Sequence, residues 1–225
     1  LHRDKVLAAK ITKISDTEIV GYRFSEAWAD DQRLFFSIKT SHSFKDVLQS
    51  PSKKGMAGAQ KIALHFSNPN NEPIFIKIGI SAVDIEGAKK NLEAEIGNQT
   101  FEQLKKTAQY FWEQQLGKIV IKDKNKDNKV NFYTSMYHVS IAPNLYQDVD
   151  GRYRGMDMKI HETKDFDYYT VFSLWDTYRA AHPLYTIIEQ EKTNDFINTF
   201  LAKYDEGGIM PIWDLAGNYT HCMIG

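Results

Sequence analysis

The spacing of apolar residues changes period near residue 84, and no other feature limits the fold of this 225-residue chain as much. Before that point hydrophobic side chains alternate; after it they recur every three or four positions. A strand puts residues i and i+2 on one face, whereas a helix gathers i, i+3 and i+4. A chain carrying both periods in succession is expected to build sheet first and helices second. Ile74, Ile76, Ile78 and Ile80 follow the first pattern and predict a half-buried strand with its isoleucines on one face. Residues 19–24, 33–39 and 61–66 read as further strands, with turn residues at 68–72 and a loop with two Lys and two Gly at 51–58. Short strands at this spacing suggest a sandwich.

The second period begins with Ile85, Ala88, Leu92 and Ile96 on one helical face, and Gly97 supplies a stop. Thr100-Phe101-Glu102-Gln103 has the form of a capping box. The helix it opens carries Phe101, Leu104, Ala108, Phe111, Trp112 and Leu116 as its apolar stripe and ends at Gly117. A third helix is expected over 127–140, and two more over 173–190 and 193–204, separated from it by an irregular stretch at 141–172. The expected organisation is therefore a β region at 1–83, then an α region at 84–225.

Composition narrows the function classes. Lys and Arg number 28 against 29 Asp and Glu, a net charge of −1, which argues against a nucleic-acid binder with its basic surplus. Cys222 is the only cysteine, so the chain has no internal disulfide. No apolar run reaches the roughly 18 residues of a membrane span. At about 150 residues per domain the length corresponds to about one and a half domains. The start at Leu1 and the apolar ending at Gly225 give the same expectation, a piece of a longer protein, and no targeting segment identifies a compartment.

Chemistry-bearing residues concentrate in three segments. Ser173-Leu174-Trp175-Asp176 reads as a capping box opening a helix, with Leu174, Tyr178, Ala181 and Tyr185 as its buried face. The same residues also suit a pocket. An indole face packs on the C–H surface of a sugar, a carboxylate accepts hydrogen bonds from two neighbouring hydroxyls, and Arg179 one turn later could orient that carboxylate. Asp148-Val149-Asp150-Gly151 resembles part of a calcium loop but lacks its third ligand and closing Glu, so a turn is the plainer reading. Gly207 and Gly208 read as a helix exit leading to Trp213, either core or a second aromatic wall, and to Asp214, a carboxylate with no visible partner. The seven His show no zinc spacing, Cys222 beside His221 reads as structural, and phosphate loops and nucleophile elbows are absent. Elimination leaves carboxylate and aromatic chemistry on a neutral polar ligand, for which carbohydrate fits best.

The run Tyr168-Tyr169-Thr170-Val171-Phe172-Ser173-Leu174-Trp175-Asp176-Thr177-Tyr178-Arg179-Ala180-Ala181-His182-Pro183-Leu184 resembles the signature of glycoside hydrolase family 92. So do Asp150-Gly151-Arg152-Tyr153-Arg154-Gly155-Met156-Asp157 and Ile209-Met210-Pro211-Ile212-Trp213, and the stretch from Gly87 to Glu95 resembles the start of that family's helical domain. The resemblance implies an N-terminal β-sandwich, here partial, followed by the first helices of an (α/α)6 barrel. It implies an exo-acting, inverting, calcium-dependent α-mannosidase, often α-1,2-specific, bacterial, periplasmic or extracellular, with a mannose-containing N-glycan or mannan as partner. Carried over residue by residue, it places Trp175 and Asp176 in the pocket for the terminal mannose, with Arg179 and Trp213 beside them. The family's general acid Glu, its base Asp and its calcium-binding segment belong to motifs expected beyond Gly225, so the chain by itself is expected to be inactive. Two other readings stay open: a glycan-binding module without catalysis, and another (α/α)6 carbohydrate enzyme such as a glucoamylase-like hydrolase or a polysaccharide lyase.

Overall fold

The structure is a computed structural model that describes residues 4–50 and 60–222, with the backbone alone for 46–50. The loop expected at 51–58 lies outside the described residues. Strands β1 (Lys5–Lys13), β2 (Glu18–Glu26) and β3 (Gln32–Thr40) run antiparallel, followed by the hairpin partners β4 (Phe44–Ser50) and β5 (Lys61–Phe66) and then β6 (Ile76–Ser81). The main sheet has the order β1-β2-β3-β6, so β6 returns to pair with β3 after the β4–β5 excursion. Ile19, Val20 and Phe44 are buried in this half, the Phe44 ring resting edge-on to Phe66.

One expectation reverses in β6. Ile76, Ile78 and Ile80 are each more than half exposed, while Gly79 and Ser81 are buried beneath helix α1 (Ile85–Glu95). The cause is the glycine. A Cβ at Gly79 would stand 2.1 Å from the Ala88 carbonyl oxygen and 2.6 Å from Leu92 Cβ. Only a bare backbone lets α1 settle this close, and that approach decides which face of the strand is covered.

Helix α1 opens on Asp84, whose side chain accepts from the Gly87 amide, and closes at Ile96 before Gly97 in the left-handed region. Helix α2 (Phe101–Leu116) carries both bonds of the Thr100/Gln103 capping box, as its spacing predicts. Helix α3 (Lys126–Val139) follows, then four short strands: β7 (Asn144–Leu145), β8 (Arg152–Arg154), β9 (Ile160–Glu162) and β10 (Tyr169–Thr170). The helix expected over 173–190 is split into α4 (Leu174–Thr177) and α5 (Ala181–Ile188). Pro183 is responsible: it has no N–H for the carbonyl of residue 179, so the helix must restart rather than pass through. Tyr178 consequently lies at the break and is exposed, not part of a buried face, whereas Tyr185 is buried. Helix α6 (Gln190–Gly207) ends on Gly208 at φ 76°, and the hairpin β11 (Asp214–Leu215) and β12 (Asn218–Tyr219) completes the order. Tyr169, Phe172, Tyr185 and Phe196 form the apolar cluster joining β10 to α5 and α6.

Candidate functional site

The signature segment at 150–157 fastens the helical half to the sheet. Alternation along β8 sends Arg152 and Arg154 to one side and Tyr153 to the other. Arg152 donates to the Asp84 carboxylate at the head of α1 (2.8 Å) and to Asp150 (3.0 Å), while Lys90 of α1 also reaches Asp150 (2.8 Å). Hydrogen bonding from Arg152 holds the Asp84 carboxyl below its usual range. Arg154 is 1% exposed and reaches the β2–β3 loop, donating to the Asp31 carbonyl (2.6 Å) and carboxylate (2.7 Å). Buried Asn218 accepts from the Asp31 amide (3.1 Å), clamping the same residue from the other hairpin. Tyr153 donates to Glu206 of α6 (2.8 Å), which also accepts from Tyr168 and from the Met156 amide.

The partial likeness of residues 148–151 to a calcium loop has a structural explanation. Asp148 is buried, with Ser81 Oγ (2.8 Å) and Asn91 Nδ2 (2.8 Å) donating to its carboxylate, and burial raises its pKa despite those bonds. Asp150 is held by Lys90 and Arg152. Gly151, at φ 82°, returns its amide to the Asp148 carbonyl to close the turn. Among the described residues no group of three His, Cys, Asp or Glu side chains could hold a metal. The carboxylates of Asp148 and Asp150 are thus already taken up by donors of the protein.

A backbone bridge at the start of α4 links the segment of Trp175 and Asp176 to that of Trp213. Ser173 pairs as an antiparallel bridge with Trp213, and the Leu174 amide donates to the Ile212 carbonyl. The bridge sets two short backbones side by side, one leading to Trp175 and Asp176, the other carrying Trp213. Trp175 is 42% exposed and Asp176 is exposed, while Trp213 is half-buried. The capping box predicted at Ser173 does not form: the Ser173 side chain caps no amide, and its hydroxyl instead donates to Asp176 Oδ2 (2.6 Å). The bridge accounts for this, because it holds the Ser173 backbone at φ −116°, ψ 74°, away from cap geometry. Arg179 turns to Tyr178, stacking its guanidinium 5.4 Å from the ring centre and donating to the phenol oxygen (3.2 Å), and so does not orient Asp176. Asp214 is not a free carboxylate at the surface; it is fully buried against Lys203 (2.6 Å).

Sequence reasoning missed Trp28. It stands on the β2–β3 loop that Arg154 and Asn218 clamp, is 68% exposed, and packs edge-on against Trp213 with ring centres 6.3 Å apart. Its only sequence signal was an aromatic between Ala27 and Ala29 just before Asp30 and Asp31; its neighbour is 185 positions away. A different cavity lies between α2, α3, α5 and α6, lined by Gln115, Ser140, Tyr169, Tyr185 and Glu189, and none of these predicted sugar residues borders it.

Trp28 and Trp175 are exposed, and Trp213, edge-on to Trp28, is half-buried. Residues 87–225 match the glycosyl hydrolase family 92 catalytic domain. The chain belongs to glycoside hydrolase family 92. A family 92 α-mannosidase from Bacteroides thetaiotaomicron superposes with a TM-score of 0.86 at 32% identity, over 96% of this chain and 31% of that one. The same enzyme has been seen in complex with mannoimidazole. A family 92 inverting mannosidase of that organism superposes at TM-score 0.84 and 22% identity, over 96% of this chain and 31% of its own, and shares the fold. The chain thus spans about a third of the length of these relatives. No curated protein gives a significant match. The sheet followed by helices matches the family's N-terminal β-sandwich region and the start of its α/α barrel, and the described residues hold six helices.

Proposed function

We propose that this chain is the part of an exo-acting α-mannosidase that grips the terminal sugar, acting on α-linked mannose of N-glycans or mannan, with α-1,2 linkages as the first substrate to test. The observation that carries the reading is the Ser173–Trp213 bridge, which lays the backbone leading to Trp175 and Asp176 beside that of Trp213, whose ring packs edge-on against Trp28. In this reading Trp175 and Trp28 offer faces to the C–H side of a pyranose, Asp176 accepts from neighbouring hydroxyls, and Trp213 packs edge-on against Trp28. Ser173 holds one Asp176 oxygen in place.

Inversion requires an acid to protonate the leaving oxygen and a base to activate water, set about 6.5–9.5 Å apart. Neither role is assigned to a residue of this chain; we place the Glu acid and Asp base on sequence after residue 225, and the isolated chain is then a binder rather than a catalyst. The calcium requirement that the family resemblance implies is a proposal about the longer protein, and no step is routed through it here. A periplasmic or extracellular location rests on the same resemblance; no described helix is long and apolar enough to cross a membrane.

Hydrolysis of α-1,2-mannobiose by the full-length protein, with and without chelator, tests the reading. Release of mannose with inverted configuration, lost on chelation and restored by calcium, is expected. Saturable binding without turnover would replace it with a glycan-binding module, a reading that the aromatic and single-carboxylate make-up of the site favours. An unsaturated, ultraviolet-absorbing product would point to a lyase.

A further inference from the structure

Lys203 and Asp214 are each fully buried, and their charged atoms meet at 2.6 Å. The ammonium lies between two aromatic rings, 4.7 Å from the centre of Phe172 and 5.3 Å from that of Tyr168. The carboxylate is used on both oxygens: Oδ1 accepts from the Phe172 amide (3.1 Å), and Oδ2 accepts from the Thr170 hydroxyl (2.7 Å) as well as from Lys203. Thr170 Oγ1 in turn accepts from the Ala216 amide (2.9 Å). One side chain thereby ties α6, residues 170–172 and the β11–β12 hairpin together.

A buried ion pair is a poor source of net stability, since desolvation offsets its attraction and an apolar pair of similar volume often serves as well or better. Burial pushes the Lys203 ammonium toward its neutral form, with Asp214 opposing that shift, as such a costly placement requires. What an apolar pair cannot provide is the acceptor for Phe172 N and Thr170 Oγ1. Those two bonds fix residues 170–172 against 214–216, and the next residues along the two backbones are the bridged Ser173 and Trp213.

We infer that Lys203 and Asp214 are positioning residues for the sugar site, setting how the backbone of Trp213 lies against the backbone that carries Trp175 and Asp176. The inference rests on the carbohydrate reading above, but its geometry is measurable without sugar. Neither residue touches substrate; each acts through the Ser173–Trp213 bridge. A misplacement of about 1 Å at a positioned group costs up to about a hundredfold in rate or affinity.

The test uses the full-length protein and a Lys203→Met/Asp214→Leu double variant, which removes both charges and the acceptor while keeping the volume. Three readouts are taken: melting temperature, affinity for α-1,2-mannobiose, and the 19F resonances of 5-fluorotryptophan. The expected result is a folded protein with a lowered melting temperature, since the Phe172 amide and the Thr170 hydroxyl lose their acceptor, affinity weaker by about tenfold or more, and displaced resonances for Trp175 and Trp213 but not for Trp112. A folded double variant with unchanged affinity and unmoved Trp175 and Trp213 resonances overturns the inference. Should the double variant fail to fold, Thr170→Val takes its place: it deletes one donor to Asp214 and leaves the ion pair. Displaced Trp213 resonances are then expected, and unmoved ones overturn the inference. If the unsubstituted protein binds no mannobiose while the resonances still move, the sugar reading fails and the positioning role stands.

Discussion

Removing the Arg154 guanidinium should uncouple the sheet from the helical half, and the size of the effect follows from its contacts. The side chain is 1% exposed and donates to the Asp31 carbonyl, to the Asp31 carboxylate and, at 3.5 Å, to the Met158 carbonyl. An Arg154→Met variant keeps most of the stem and loses these bonds. A hydrogen bond to a charged group contributes about 1.5–3 kcal/mol, a neutral one about 1. Asp31 is not orphaned, because Arg33 still pairs with its carboxylate (2.8 Å) and Asn218 with its carbonyl (3.3 Å). That retained pairing places the loss near the lower end, about 2–3 kcal/mol, or a fall in melting temperature of about 4–12 °C for a chain of this size. A double-mutant cycle with Asp31→Ala, followed by urea denaturation, isolates the pair. Coupling of about 1.5 kcal/mol or more is expected; coupling below about 0.5 kcal/mol would refute the assignment of Arg154 and Asp31 as the clamp.

Three further outcomes follow from the packing and the titrating groups. Gly79→Val should destabilise by about 3 kcal/mol or more, since its Cβ would meet the α1 backbone at 2.1 Å, and should separate α1 from β6 in hydrogen exchange; a neutral effect would contradict the close approach. His182 is half-buried among Tyr185, Phe196 and Phe200, and burial holds its pKa below 6.5. A base whose folded pKa is depressed costs stability as pH falls below its unfolded value, so stability should decline from pH 6.5 downward, and His182→Phe should flatten that decline in denaturation curves. Asp84 has the opposite chemistry but the same direction: its depressed carboxylate contributes fully above its ordinary value of 3.8 and loses that contribution as pH falls below it. Asp84→Ala should cost about 1 kcal/mol at neutral pH through the lost cap, with the difference vanishing in strong acid.

What the sequence made legible was local. The change of period, the Thr100/Gln103 box and the glycine exits at Gly97 and Gly208 all depend on residues within one turn of each other, and each appears as expected. The isoleucine alternation in β6 showed a strand but not its covered face, because Gly79 decided that by admitting α1. Pro183 carried a readable signal that the apolar period overrode: a helix through 173–190 had to break in the turn before it. In the candidate site, Trp175, Asp176 and Trp213 were visible as residue types beside one another in motifs. Their supports were not. Arg154 meets Asp31 across 123 positions, and Lys203 meets Asp214 in an interior that no spacing rule describes. Arg179 was assigned to Asp176 by helical spacing, which the break after Thr177 cancels.

The central claim is that Asp176, beside Trp175 and Trp213, binds the terminal mannose rather than serving the fold alone. The most direct measurement is kcat/KM on α-1,2-mannobiose for the full-length protein and its Asp176→Ala variant, with melting temperatures taken on the same samples. Loss of two charge-assisted hydrogen bonds to sugar hydroxyls, at about 1.5–3 kcal/mol each, predicts a fall in kcat/KM of at least about a hundredfold. The melting temperature should stay within a few degrees, since Asp176 is exposed and bonded within the protein to Ser173. Unchanged kcat/KM accompanied by a lowered melting temperature would contradict the claim and leave Asp176 a structural residue.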